Sequence, residues 1–163
     1  MDITMHGDPL TTNGTAPAVD QTLPNFQLTA ATGETVTPKD WQGQATLISV
    51  VPDINTSVCS IQTKHFNQSM DAFPDIRFVT VSTNTTEQQQ NWCAAEGVDR
   101  IQLLSDAQHS FGSALGLYVA DKNILARSIF IIDATGKILY RELIQEQTHE
   151  PDYQKALAFL KNL

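Results

Sequence analysis

The chain of 163 residues contains only two cysteines, Cys59 and Cys93, so the first question is whether either sulfur serves as a nucleophile. Cys59 closes the segment Pro52-Asp53-Ile54-Asn55-Thr56-Ser57-Val58-Cys59, which lies between a strongly apolar run and a stretch of helical periodicity. A thiol must ionise before it attacks, and the unpaired N–H groups and positive dipole end of a helix N-terminus favour the anion. Cys59 has that placement. Thr56, three residues earlier, brings a hydroxyl near the sulfur, and Pro52 fixes the loop and shields the pocket. A free cysteine is also a small hydrophobe that cores bury, so position by itself leaves both readings open.

The elements that must hold these residues follow from periodicity. Ala45 to Val51 is a nearly continuous apolar and β-branched run, too short for a typical helix, and predicts a central strand covered on both faces. It stops at Pro52. Beyond the polar loop, Val58, Ile61, His65, Phe66 and Met70 recur at helical spacing, predicting a helix that starts close to Cys59 and ends before Pro74. Arg77 to Ser82 is the next strand, and Asn84 or Thr85 caps a helix from about Thr86 to Gly97 that carries Cys93. Ile101 to Leu104 is a third core strand, Gln108 to Leu115 a short helix, and Ser128 to Ile132 a further strand. That strand turns through Asp133-Ala134-Thr135-Gly136 into a hairpin partner, Lys137 to Glu142. Asp152 caps a last helix whose buried face is Tyr153, Ala156, Leu157, Phe159 and Leu160.

Upstream, the polar segment to about Thr22, with turn signals at Gly7-Asp8-Pro9 and Asn13-Gly14, predicts an N-terminal hairpin. Asn25 to Leu28 and Glu34 to Thr37 flank Ala31-Thr32-Gly33 as a second pair of short strands, and Pro38 to Trp41 forms one helical turn. The interleaving predicts an α/β, thioredoxin-like fold: a mixed central β-sheet flanked by helices, with a β-hairpin extension over residues 1–22. One domain, residues 1–163, is expected, with no internal repeat or linker to divide it.

Composition narrows the chemistry. Eighteen acidic residues against ten Lys and Arg give a net charge of −8, which repels a phosphate backbone and argues against a nucleic-acid partner. The opening residues show no basic start or apolar run, and nowhere does the chain approach the ~18 apolar residues of a membrane span, so a soluble cytoplasmic protein is expected. Cytosolic thiols are kept reduced, and disulfides that form there are usually transient, catalytic or sensing. Cys59 is followed by Ser60, Ile61 and Gln62, so the Cys-x-x-Cys redox motif is absent. His6, His65, His109 and His149 fall at no metal-ligand spacing with the cysteines, and Gly136-Lys137 lacks the upstream glycine of a phosphate loop. No metal or other cofactor is expected.

The spacing Pro52-x-x-x-Thr56-x-x-Cys59 is that of the peroxiredoxin active-site signature, and the chain resembles that family. More narrowly, it is similar to the thiol peroxidase subfamily of atypical two-cysteine peroxiredoxins. That likeness runs through Gly7-Asp8-Pro9-Leu10, Pro24-Asn25-Phe26, Asn91 to Gly97, Leu125 to Ser128 and Glu150 to Tyr153. The resemblance implies that Cys59 is the peroxidatic cysteine, Cys93 the resolving cysteine, and Thr56, Arg127 and Pro52 the remaining site residues. It further implies hydroperoxide substrates, organic and lipid as well as hydrogen peroxide. A Cys59 sulfenic acid would be resolved as an intramolecular disulfide with Cys93 and recycled by thioredoxin, in a homodimer.

Arg127 immediately precedes a core strand, where a guanidinium beside the sulfur would stabilise both the thiolate and charge developing on the peroxide; its position alone favours an ordinary surface cation, and the resemblance reverses that reading. The two cysteines lie 34 positions apart on different helices, whereas a disulfide needs Cα atoms within roughly 7 Å, so local unwinding is expected in the resolving step. Two departures stand out. Ser57 occupies a position where relatives commonly have Pro or Gly, and Gly116 to Leu125 is a shortened loop bordering the expected substrate entrance. A different class of function, a redox sensor that oxidises once and then changes its affinity for a partner protein, is distinguished by turnover. An inactive domain that has kept the fold predicts no selective oxidation of Cys59.

Overall fold

The computed structural model describes residues 1–163. The Ala45–Val51 run becomes strand β5 (Thr46–Val50), and all five of its residues are buried, as expected of a strand covered on both faces. Around it, β1 (Asp2–Met5), β2 (Asp8–Thr11), β3 (Leu28–Thr29) and β4 (Thr35–Val36) precede, and α1 (Ser57–Ser69), β6 (Arg77–Ser82), α2 (Thr86–Glu96) and β7 (Gln102–Ser105) follow. The chain ends with α3 (Ser110–Leu115), β8 (Tyr118–Val119), β9 (Ile124–Leu125), β10 (Ser128–Ile132), β11 (Ile138–Leu143) and α4 (Tyr153–Lys161).

Seven strands form one mixed sheet in the order β11-β10-β5-β6-β7-β3-β4. Strands β5, β6 and β7 are parallel neighbours, while β10 runs antiparallel to β5 and β3 antiparallel to β7. The pleat sends alternate residues of β5 to opposite faces. Ile48 and Val50 join a core with Phe26, Trp41, Phe111 and Phe130, whereas Leu47 and Val51 join one with Cys59, Phe66, Trp92 and Leu160. Cys59 is therefore part of the core beneath α1, on one particular face of the sheet. No helix is long and apolar enough to cross a membrane.

Several boundaries moved for local reasons. The first hairpin, β1–β2, turns at His6 and Gly7, both with positive φ, so Gly7 of the Gly7–Pro9 signal forms the turn while Asp8 and Pro9 enter β2, and Asn13–Gly14 lies beyond the hairpin. Pro9 lies within β2, which has a partner on one side only, so its missing N–H costs no ladder bond. Asn25 to Leu28 shrinks to a two-residue strand because Phe26 turns into the core, edge-on to Phe111 with ring centroids 4.9 Å apart. Within Gly116 to Leu125 the structure adds a small hairpin, β8–β9, that sequence periodicity did not reveal because each strand has only two residues. Gly116 has φ +67, and a Cβ there would fall 2.7 Å from the Thr15 backbone nitrogen, so only glycine lets the N-terminal segment pass.

One buried carboxyl gives the fold a pH signature. Asp106 has no exposed surface and accepts hydrogen bonds from Phe111 N (2.9 Å) and Gly112 N (2.8 Å) at the start of α3. Burial nevertheless pushes it from its ordinary 3.8 up to about 6, overcoming those donors. A carboxyl protonated more readily when folded contributes stability that is fully present below about pH 4 and is lost as pH rises through about 6. The melting-temperature advantage of the unmodified protein over Asp106→Asn should therefore shrink between about pH 4 and pH 7; a constant difference would contradict the assignment.

Candidate active site

Cys59 is the third residue of α1, has no exposed surface, and receives the Asp53 N–H at 3.5 Å from its sulfur. The helix begins without a side-chain cap. Thr56 occupies the N-cap position, but its hydroxyl donates backwards to the Asp53 carbonyl at 2.8 Å, not to the sulfur. Its oxygen keeps lone pairs free, and no side chain occupies the first-turn N–H groups of α1, which remain available to another acceptor. α2 differs: Thr85 accepts from Gln88 N, and the Gln88 side chain accepts in return from Thr85 N, a complete capping box, while Gly97 closes the other end at φ 66. The helix with Cys59 in its first turn thus has an entry that, unlike that of α2, is left open.

Arg127 is buried, only 3% exposed, so it is not an ordinary surface cation. Its Nε and Nη2 both donate to the Gln147 carbonyl, at 2.9 and 2.7 Å, and Nη1 donates to Gln62 Oε1 at 2.9 Å. Gln62 lies three residues after Cys59 on α1 and donates in turn to Ser49 Oγ of β5 at 2.8 Å. The Gln147 side chain accepts from Arg127 N at 2.5 Å and donates to the Ile144 carbonyl at 2.7 Å. Each polar atom around the guanidinium is thereby engaged, the condition under which a buried cation is tolerated. Neither glutamine carries a sequence signal of its own. Gln62 stands where a Cys-x-x-Cys motif would place its second cysteine, and Gln147 lies in an irregular loop.

The Gln147 loop is fastened to the N-terminal hairpin. Thr4 N donates to the Gln145 carbonyl (2.9 Å) and Gln147 N to the Thr4 carbonyl (2.8 Å). Between them, Glu146 accepts from Thr148 Oγ1 (2.6 Å), Thr148 N (2.9 Å), Gly7 N (2.8 Å) and Thr4 Oγ1 (3.0 Å). These donors, Thr148 foremost, hold the Glu146 carboxyl well below the usual range. Residues 1–11 are therefore built into the support of Arg127.

A cavity of about 340 Å³ opens here. Pro52, Thr56 and Arg127 share its wall with Asp53, Ser57 and Val58, so the structure brings together three of the five residues singled out by sequence; the fourth, Cys59, is fully buried and does not line the wall, but its sulfur faces the N–H of Asp53, which does. Met5 and His6 of the hairpin form another side. Lys122 and Ile124, from the Gly116 to Leu125 segment, also line the cavity. The phenol of Tyr153 is raised above its ordinary value by burial first and then by its 2.8 Å hydrogen bond to Glu150; Cys59 raises it further, while Arg127 opposes. Tyr153 therefore senses both charges, and it stacks on His65 of α1 at 3.8 Å.

Cys93 is not part of this assembly. Both cysteines are free, and Cys93 lines a separate cavity of about 290 Å³ beside the β3–β4 turn, which shares no residue with the first. Burial pushes the Cys93 thiol up. No three His, Cys, Asp or Glu side chains converge as metal ligands would.

The chain was compared with known proteins. The profile of the Redoxin family matches residues 18–157. A thiol peroxidase of Bacillus subtilis is 37% identical over 163 residues, covering 99% of this chain and 98% of that protein. A thiol peroxidase of Listeria monocytogenes is 39% identical over 160 residues, covering 98% of this chain and 97% of that protein. Among solved structures, a peroxiredoxin-like protein from Aquifex aeolicus superposes with a TM-score of 0.91 at 27% identity, covering 99% of this chain and 96% of that one.

Proposed function

The chain belongs to the redoxin family and aligns over its full length with thiol peroxidases, and on that premise we propose that Cys59 is the peroxidatic nucleophile of a hydroperoxide-reducing cycle resolved by Cys93. The activity is that of a thiol-dependent peroxidase. The observation supporting these residue roles is the cavity wall shared by Pro52, Asp53, Thr56 and Arg127, in which the Asp53 N–H faces the sulfur of a buried cysteine in the first turn of an uncapped helix.

In the first step the Cys59 thiolate attacks the terminal oxygen of the hydroperoxide. An S–O bond forms and the O–O bond breaks; the leaving alkoxide takes a proton and departs as alcohol, or as water from hydrogen peroxide. Arg127 and the first-turn N–H groups offset the charge spreading over sulfur and both oxygens, and the Thr56 oxygen orients the incoming hydroperoxide. Cys59 is left as a sulfenic acid. The Cys93 thiol then attacks that sulfur, forming the S–S bond and releasing water. Because Cys93 occupies another cavity with its thiol held up by burial, this step follows unwinding of the uncapped first turn of α1 and of the Cys93 segment, which also frees Cys93 to ionise. Thioredoxin, as reductant, returns both thiols by dithiol exchange.

The substrates we assign are organic and lipid hydroperoxides as well as hydrogen peroxide. Val58, Met5 and Ile124 offer an organic group apolar contact at the entrance. We place the cycle in the cytoplasm, where a disulfide of this kind is transient, and in a homodimer whose chains are each one domain of residues 1–163.

The decisive measurement is to add about one equivalent of cumene hydroperoxide to the reduced protein and map the disulfide by mass spectrometry, expecting Cys59 joined to Cys93. Absence of that bond would refute the assignment. Cys93→Ser should still form the sulfenic acid at Cys59 but lose recycling by thioredoxin, measured as a single burst of peroxide consumption. Sustained turnover in Cys93→Ser would remove its resolving role. With thioredoxin and its reductase present, the unmodified protein should consume many equivalents of peroxide; stalling after about one would favour a sensor.

A further inference from the structure

Asn84 stands outside the site residues discussed so far, yet it bonds to both moving segments. Its Oδ1 accepts from Ile54 N at 2.8 Å, and its Nδ2 donates to Asp53 Oδ1 at 2.9 Å, two contacts within the loop that leads to Cys59. The same Nδ2 lies 3.4 Å from Gln88 Oε1 in the first turn of α2, and Asn84 immediately precedes that helix's cap, Thr85. Its own carbonyl accepts from Ser105 Oγ at 2.6 Å, which ties it to β7. We infer that Asn84 is a positioning residue: it clasps the Cys59 loop to the start of the Cys93 helix and sets the balance between peroxide attack and disulfide closure. This inference rests on the roles given above to Cys59 and Cys93.

The geometry gives the direction of the effect. Ile54 has no exposed surface, so its N–H has no water to replace Asn84 if the clasp is lost. Asp53, the other residue held, supplies the N–H that faces the Cys59 sulfur. Bonds within the loop, from Thr56 Oγ1 to the Asp53 carbonyl (2.8 Å) and from Asn55 N to Asp53 Oδ1 (3.0 Å), hold its turn together, while the clasp ties that turn to the rest of the fold. Opening the loop towards Cys93 breaks the Asn84 bonds to Ile54 and Asp53, and closing it for peroxide attack re-forms them. Asn84 therefore stabilises the attacking arrangement relative to the open one. It also lengthens the time for which a closed sulfenic acid can meet a second hydroperoxide, which oxidises it to sulfinic acid as that hydroperoxide is reduced to alcohol.

Single-turnover oxidation, quenched at intervals and analysed for sulfenic acid, disulfide and sulfinic acid at Cys59, tests the inference. Asn84→Ala is expected to speed disulfide closure by about tenfold, the scale set by one buried hydrogen bond, and to slow peroxide attack by the smaller factor by which the closed population falls. Its sulfinic acid yield under excess cumene hydroperoxide should fall. Asn84→Asp keeps an acceptor for Ile54 but sets a carboxylate against Asp53, and should act in the same direction. The double exchange Asp53→Asn with Asn84→Asp restores a donor–acceptor pair and should return both rates to within about threefold of the unmodified protein. If Asn84→Ala fails to fold, the Asp variant and the double exchange provide the same test.

Rates that stay unchanged, rates that fall together, or a double exchange that rescues neither would overturn the clasp. Failure of the unmodified protein to form the Cys59–Cys93 disulfide would instead overturn the functional reading, so the two are distinguishable.

Discussion

Replacing Cys59 with serine abolishes peroxide consumption, the rate falling by about 10⁴-fold or more towards background, as expected when a covalent nucleophile is removed. The hydroxyl is slightly smaller than the thiol, and the site is fully buried, so the change leaves the packing against Phe66 and Ile54 nearly intact. Circular dichroism and melting temperature should therefore stay close to those of the unmodified protein while the cumene hydroperoxide assay falls to background. Normal activity in a folded Cys59→Ser protein would refute the nucleophile assignment, and no rearrangement of the other residues would rescue it.

The second large effect is that of Arg127→Ala, expected to slow Cys59 oxidation by about 10²–10³-fold, the size associated with losing a preorganised electrostatic donor. From sequence alone the residue could be cut back without structural consequence. The structure changes that expectation. Truncation removes both donors to the Gln147 carbonyl and leaves Gln62 Oε1 without its partner inside the core, so a stability loss of about 3 kcal/mol accompanies the slower chemistry. Arg127→Lys separates the two effects, because it keeps a positive charge but cannot reach Gln147 and Gln62 at once. Stopped-flow oxidation rates set beside urea unfolding should show Arg127→Ala impaired in both and Arg127→Lys recovering more stability than rate. An unchanged rate in either folded variant would withdraw Arg127 from the site.

Much of the fold could be read along the chain because its determinants are local. The nearly continuous apolar and β-branched run before Pro52 fixed β5, the spacing of Val58, Phe66 and Met70 fixed α1, and Thr85 with Gln88 and Gly97 marked both ends of α2. Short elements were harder. Two-residue strands such as β8 and β9 carry no measurable periodicity, and the hairpin at His6 and Gly7 depends on backbone conformations that histidine rarely adopts. Asp106 is equally invisible in sequence, since a carboxylate before a helix reads as a solvated cap until burial is known.

Local spacing along the chain set where the candidate sulfur sits and what kind of neighbours it has: a loop entering a helix, a threonine one turn back, a proline just after a core strand. Those are matters of spacing over eight residues, and short-range chain geometry enforces them. How Arg127 is held, by Gln62 and Gln147 from 65 and 20 residues away, and how the N-terminal hairpin comes to wall the cavity follow from packing between distant parts of the chain. That packing also decided that Cys93 faces elsewhere when reduced. The physical reason is that hydrogen bonds between distant side chains exist only once two separate surfaces have packed, and no local pattern along a chain encodes which surfaces those are.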